Sequence, residues 1–256
     1  MKVKNYIPNL FTLGNLLCGT LAAIFAVKGD FTSTALLVAL GVGFDFIDGF
    51  AARLLNVQGE LGKQLDSLAD MVTSGVAPGI VMMQLIINAI DTDAIGYFGM
   101  DKEGITGSFI PYIGLLLTLF AGYRLAKFNI DERQSDSFIG LPTPAMSLFV
   151  VSLPLIANYD TQSFFVELIL NRFFLITTTL FLGILMISEL PLFSLKFKSY
   201  ALKDNAVTYL FLMMSLILIL VIKFAAIPLI ILFYIFLSIV LNLINKKYTT
   251  KITSTD

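Results

Sequence analysis

An all-α bundle of about eight membrane-crossing helices is the architecture this chain should adopt. Its 256 residues are 57% hydrophobic, with a mean hydropathy of +0.87, too apolar for a water-soluble domain of that size. Apolar stretches long enough to cross about 30 Å of hydrocarbon recur from end to end. Lysine and arginine are distributed asymmetrically between alternate connections, as they are in proteins that span a bilayer in a fixed orientation.

The expected spans are 9–27, 32–55, 63–90, 108–129, 141–158, 168–189, 206–222 and 224–245. The first follows Lys2 and Lys4 with no small-residue cleavage site behind it, so it reads as a retained helix. The fifth carries Pro142, Pro144 and Pro154, a kink that neighbouring helices can tolerate. Little more than Lys223 divides the last two. With the N-terminus inside, thirteen of the 17 basic residues fall on the cytoplasmic side, among them Arg53, Lys63, Arg124, Lys127, Arg133, Lys196 and Lys246. Lys28, Lys102, Arg172 and Lys223 fall outside. An even number of spans then places both termini in the cytoplasm. No long linker or low-complexity run interrupts the chain, so 1–256 reads as one integral membrane domain with a polar tail from 246.

Composition also limits the chemistry. Histidine is absent, which excludes histidine bases, histidine-bound zinc and serine–histidine triads. Cys18 is the only cysteine, so neither an internal disulfide nor a thiolate cluster can form, and it fits a small apolar position in a helix. The net charge of −1 implies no attraction to nucleic acid.

Against that apolar background, residues 45–70 stand out. They read Asp45-Phe-Ile-Asp48-Gly49-Phe-Ala-Ala52-Arg53, then eight residues, then Gly62-Lys-Gln-Leu-Asp66-Ser-Leu-Ala-Asp70. On helices, spacings of i,i+3 and i,i+4 put each aspartate pair on one face. A carboxylate at the bilayer centre costs about 2.5–3.5 kcal/mol or more, so four so close together need compensation. Two divalent cations would balance them, and with no soft ligands available these should be hard ions, Mg²⁺ or Mn²⁺, or Ca²⁺. The short connection 54–62 should make the second and third helices antiparallel neighbours, with all four acids at one depth near the cytoplasmic surface. Gly49 and Gly62 would let a ligand approach the backbone closely, and Arg53 could meet a phosphate. Such parts suit phosphoryl-type transfer. Acids within spans also mark ion pathways, so a divalent-cation transporter remains an alternative at this point.

The ordered pattern D-x-x-D-G-x-x-A-R-x8-G-x-x-x-D-x-x-x-D resembles the signature of the CDP-alcohol phosphotransferase family. The resemblance implies a membrane enzyme with a six-helix core, here about 5–190, with accessory helices at about 206–245. It also implies a homodimer and displacement of CMP from a CDP-alcohol by a second alcohol. It would make Asp45, Asp48, Asp66 and Asp70 the ligands of a two-metal site, Asp70 the general base, and Gly49, Ala52, Arg53 and Gly62 the lining of the CDP pocket. Three further segments are similar to the phosphatidylserine synthase branch: Ile7 to Gly19, Tyr123-Arg124-Leu-Ala-Lys127-Phe-Asn129, and Phe138 to Ala145. That similarity implies CDP-diacylglycerol and L-serine as substrates, with the acceptor near Arg124, Lys127 and Asn129. Glycerol 3-phosphate, inositol phosphate or choline are the alternative acceptors. Asn9, Thr12 and Asn15 recur at i, i+3 and i+6 along the start of the first span. They could bind the nucleotide or the second helix, although Asn9 also fits a helix N-cap and Asn15 an interhelical bond. Arg124 equally fits a membrane-surface anchor.

Overall fold

The computed structural model describes residues 6–57, 59–97, 109–131, 139–159, 164–193 and 205–253. Many of the orienting charges, including Lys2, Lys4, Lys102, Arg133, Lys196, Lys198 and Lys203, lie outside the described residues. Among those described, the chain is helical, and the single isolated β-bridge joins Ile139 to Pro191.

The helices are α1 (Tyr6–Val27), α2 (Phe31–Leu55), α3 (Glu60–Asp70), α4 (Ala77–Tyr97), α5 (Leu116–Ile130), α6 (Thr143–Tyr159), α7 (Phe164–Ile169), α8 (Arg172–Ile187), α9 (Ala206–Ile222) and α10 (Ala226–Thr253). Residues 6–27, 31–55, 60–90, 110–130 and 206–244 are long and apolar enough to cross a membrane, while Thr143–Tyr159 and Arg172–Ile187 are shorter apolar helices. The chain is thus a polytopic helical membrane protein.

Local chemistry explains the boundaries. Asp30 caps α2, accepting from the Ser33 amide at 3.0 Å and the Ser33 hydroxyl at 2.7 Å. Those two bonds, the hydroxyl's first, hold its carboxyl below the usual range. Asn56 ends α2 in the left-handed conformation at φ 52°. The sixth expected span is interrupted: α7 and α8 are separate because the Asn171 side chain caps α8, accepting from the amides of Phe173 and Phe174. The last expected boundary falls where the sequence suggested, since Lys223, at φ 48°, breaks the apolar run between α9 and α10. Pro154 sits inside α6, in a fully packed stretch. Asn9 does not cap α1. The helix begins three residues earlier, at Tyr6, so Asn9 lies within its first turns.

A six-residue π-helical turn, Met71–Val76, joins α3 to α4. The two helices and this turn form one continuous element, the most deeply buried of the long ones. Val81, Met82 and Ile86 of α4 pack in the core with Leu117 of α5, Met146 and Val150 of α6 and Leu182 of α8. Leu119, Leu220, Val221 and Phe236 face outward, as lipid-facing residues do. Acids of α2 and α3 meet, as the short connection between them suggested, and α1 lies against α2, α3, the π-turn and α4. Small residues permit this close approach, because a Cβ added at Gly19 or Gly41 would run into Thr73 of the π-turn.

Candidate active site

Three elements bring the aspartates together. One oxygen each from Asp45 and Asp48 on α2 and Asp66 on α3 lie within 4.8 Å of one another. Asp48 is only 6% exposed, and its Oδ2 accepts a 2.6 Å bond from the Thr12 hydroxyl of α1. The same hydroxyl lies 3.2 Å from the Pro8 carbonyl, so the carboxylate holds it more closely. Asp66 Oδ1 is buried without a hydrogen-bond partner. Among the described residues no lysine or arginine pairs with these three acids. Gathered carboxylates with an unsatisfied buried oxygen and no neutralising side chain form an all-oxygen donor set suited to a hard divalent cation.

Asp70 occupies a different environment, outside that group of three. It is 9% exposed, and its Oδ1 accepts from Asn15 Nδ2 at 3.1 Å. Asn15 is completely buried, its own Oδ1 is unpartnered, and its backbone carbonyl accepts from the Thr73 hydroxyl at 3.0 Å. The π-turn therefore begins immediately after the last aspartate and returns a side chain to the helix that holds it. Single π-turns inside α-helices commonly mark functional positions. Space here is tight: a Cβ at Gly41 would stand 2.6 Å from Thr73 Cγ2 and 2.8 Å from Asn15 Oδ1. Gly41→Ala should therefore destabilise the purified protein by about 1–3 kcal/mol, the usual cost of overpacking, read as a lower thermal midpoint in detergent.

Arg124, on α5, is a buried cation that acts electrostatically on Asp70. It is 7% exposed and lies over the Phe128 ring at 5.6 Å from its centroid. Its Nε and Nη2 have no hydrogen-bond partner. A buried guanidinium with open donors is able to bind an anion.

The other candidates are placed differently. Lys127 pairs with Glu189 at 3.4 Å. The Asn129 amide donates to Ser67 at 2.8 Å, and its carbonyl accepts from Lys63 at 2.7 Å, tying α5 to α3. On the flank of α2, Gly49 is open to solvent, Ala52 is half-buried and Arg53 is exposed, its Nε donating to the Gly49 carbonyl at 3.0 Å. Gly62 has only Asn9 Oδ1 beside it. Thr12 and Asn15 both bond aspartates, on α2 and α3 respectively. The sequence reading missed Thr73, although Thr73-Ser74-Gly75 is a small polar run inside an apolar span and could have drawn notice.

Comparison with known proteins identifies the family. The family model described as CDP-alcohol phosphatidyltransferase matches residues 5–185. The chain is similar to the CDP-diacylglycerol–serine O-phosphatidyltransferase of Bacillus subtilis (strain 168), 34% identical over 158 residues that cover 60% of this chain and 78% of that protein. It is 33% identical over 186 residues to the protein of the same name from Helicobacter pylori (strain ATCC 700392 / 26695), covering 72% of this chain and 70% of the relative. The archaetidylserine synthase of Methanothermobacter thermautotrophicus is 29% identical over 167 residues, covering 63% of this chain and 64% of that protein. Because the matched region holds every helix that contributes an aspartate, and Arg124 as well, the chain belongs to the CDP-alcohol phosphatidyltransferase family.

Proposed function

We propose that this protein transfers the phosphatidyl group of CDP-diacylglycerol to the hydroxyl of L-serine, giving phosphatidylserine and CMP. The relatives' names supply the reaction, and Arg124 is the observation that supports the acceptor. A buried guanidinium with open donors, next to Asp70 and single among the described residues, suits an alcohol that carries one carboxylate. Choline has no anion to place there. A phosphorylated acceptor calls for more positive charge, and the neighbouring Lys127 already has Glu189 as partner.

Asp45, Asp48 and Asp66, with Asp70 as the fourth ligand, would hold two divalent ions, Mg²⁺ or Mn²⁺. When bound, these ions neutralise the pyrophosphate and the charge on departing CMP. Asp70 takes the proton of the serine hydroxyl as that oxygen attacks the phosphorus bearing diacylglycerol; the bond to CMP breaks and CMP carries away the electron pair. Asn15 keeps Asp70 in place by donating to Oδ1. Gly49, Ala52, Arg53 and Gly62 form the flank open to the nucleotide. Both termini and the site face the cytoplasm of a cell membrane, where soluble serine and CMP exchange while the acyl chains stay in lipid. The protein works as a homodimer and needs no nucleic acid. Transport is disfavoured, because the other halves of the two aspartate-bearing elements, 32–43 and 76–90, carry no charged side chain to continue an ion path.

The test is CMP release by purified protein given CDP-diacylglycerol, Mg²⁺ or Mn²⁺ and one alcohol at a time. Release with L-serine alone supports the reading. Release with glycerol 3-phosphate or inositol phosphate in its place replaces the acceptor, and release with none removes the reaction. Arg124→Ala should raise the serine KM about tenfold to a hundredfold, as loss of charge-assisted hydrogen bonds does, while the KM for CDP-diacylglycerol stays close to wild type. An unchanged serine KM would take Arg124 out of the acceptor pocket.

A further inference from the structure

The helices beyond the family match end in an arrangement that packing alone does not require. On α10, Tyr234, Ser238 and Asn242 recur every four residues and so share one face. All three bond the backbone of a single short segment. Tyr234 Oη donates to the Phe193 carbonyl at 2.8 Å, Asn242 Nδ2 donates to the Pro191 carbonyl at 2.6 Å, and Ser238 Oγ accepts from the Phe193 amide at 3.3 Å. The Phe193 ring packs against Tyr234 and against Phe211 of α9, with centroids 4.8 and 5.8 Å apart. Ser238 is fully buried. Three polar side chains in the otherwise apolar stretch 226–244 thus take up backbone groups that an extended segment in an apolar setting leaves unpaired.

The held segment continues toward the site. Pro191 pairs with Ile139, and the Gly140 amide donates to the Leu190 carbonyl at 2.9 Å. Gly140 adopts φ +74°, and a Cβ there would stand 2.6 Å from the Met186 carbonyl oxygen, so the two segments meet backbone to backbone. At the start of this strap, Glu189 pairs with Lys127 on the last turn of α5. Asn129, on the same turn, is tied to Ser67, which lies between Asp66 and Asp70 on α3.

We infer that α10 is a positioning element for the acceptor side of the site: Tyr234, Ser238 and Asn242 fix the strap 189–193, and the strap fixes the end of α5 that carries Arg124, Lys127 and Asn129. The inference rests on the proposal that the acceptor binds at that end of α5. It assigns the C-terminal helices a share in acceptor binding, with none of their residues touching substrate.

Two measurements test it on the full-length protein. The first needs no turnover. In a Lys127→Cys/Glu189→Cys protein, cross-linking by a bifunctional thiol reagent long enough to replace the two side chains should be efficient, and adding Tyr234→Phe, Ser238→Ala and Asn242→Ala should slow it several-fold. Unchanged cross-linking would overturn the strap whether or not serine is the acceptor. The second separates binding from chemistry. With the cysteine pair absent, the α10 substitutions should raise the serine KM by about two- to thirtyfold, the range that couplings carried through packed networks span, while the KM for CDP-diacylglycerol stays constant. Ser238→Thr and Asn242→Gln, which keep an acceptor and a donor, should recover most of the loss. A fall in kcat with both KM values unchanged, or equal losses in the conservative variants, would reduce α10 to a stabilising helix. If the wild type releases no CMP with serine, the proposed reaction fails, and the cross-linking result still decides the strap.

Discussion

Asp70→Asn should lower CMP release by about 10²–10⁴-fold, the contribution a positioned general base makes. The substitution is nearly isosteric, and the introduced carbonyl can still accept from Asn15 Nδ2, so the bond now at 3.1 Å and the packing of the π-turn both survive. What is lost is the capacity to take the proton from the attacking hydroxyl. Binding of CDP-diacylglycerol, followed by retention of labelled lipid on the purified variant, should therefore remain close to wild type. Asn15→Leu makes the complementary change, since the base stays and its orienting donor goes. That variant should lose less activity than Asp70→Asn, with the loss in kcat. Near-normal turnover in Asp70→Asn would show that another group takes the proton. A matching loss of lipid binding would make Asp70 a binding residue and not the base.

How far the site was legible depends on what kind of fact each part is. The four aspartates could be read because charge in an apolar helix is costly, and their spacing fixes which face they share. Thr12 and Asn15 could be read as a stripe on α1, but their partners could not. A sequence does not say that α1 would lie against both α2 and α3, because that depends on Gly19 and Gly41 giving way to Thr73. The π-turn was illegible for a related reason. One extra residue in a turn changes no hydrophobic pattern enough to be noticed, yet it sets where Thr73 returns to Asn15. Arg124, Lys127 and Asn129 looked equivalent as neighbours in sequence. Only tertiary partners separate them: Lys127 is paired, Asn129 is tied to α3, and Arg124 keeps open donors. The break between α7 and α8 follows from Asn171, a capping residue within an apolar run, and it could have been found from that residue alone.

Removing divalent metal should abolish turnover and also change stability in a direction that identifies the ligands. Asp45, Asp48 and Asp66 present oxygens within 4.8 Å of one another with no neutralising side chain. At that separation two ionised carboxylates repel by about 3–4 kcal/mol for an effective dielectric constant near 20. The metal-free protein therefore carries an unfavourable cluster, and an ion that binds only the folded state should stabilise it, by about 2.7 kcal/mol at a hundredfold excess over Kd. EDTA should stop CMP release and lower the thermal midpoint, and added Mg²⁺ or Mn²⁺ should restore both. Asp66→Asn separates the two effects. It removes one charge from the cluster, so the EDTA-treated variant should melt higher than EDTA-treated wild type, while the increase on adding metal should shrink or vanish and turnover should fall with it. Gly43→Ala serves as the control, because nothing lies within 4 Å of that position; it should keep the wild-type response to metal. Activity that persists after exhaustive chelation would sink the metal account. An Asp66→Asn protein that melts lower than wild type without metal would show that the cluster is held by bonds within the protein and not waiting for a cation.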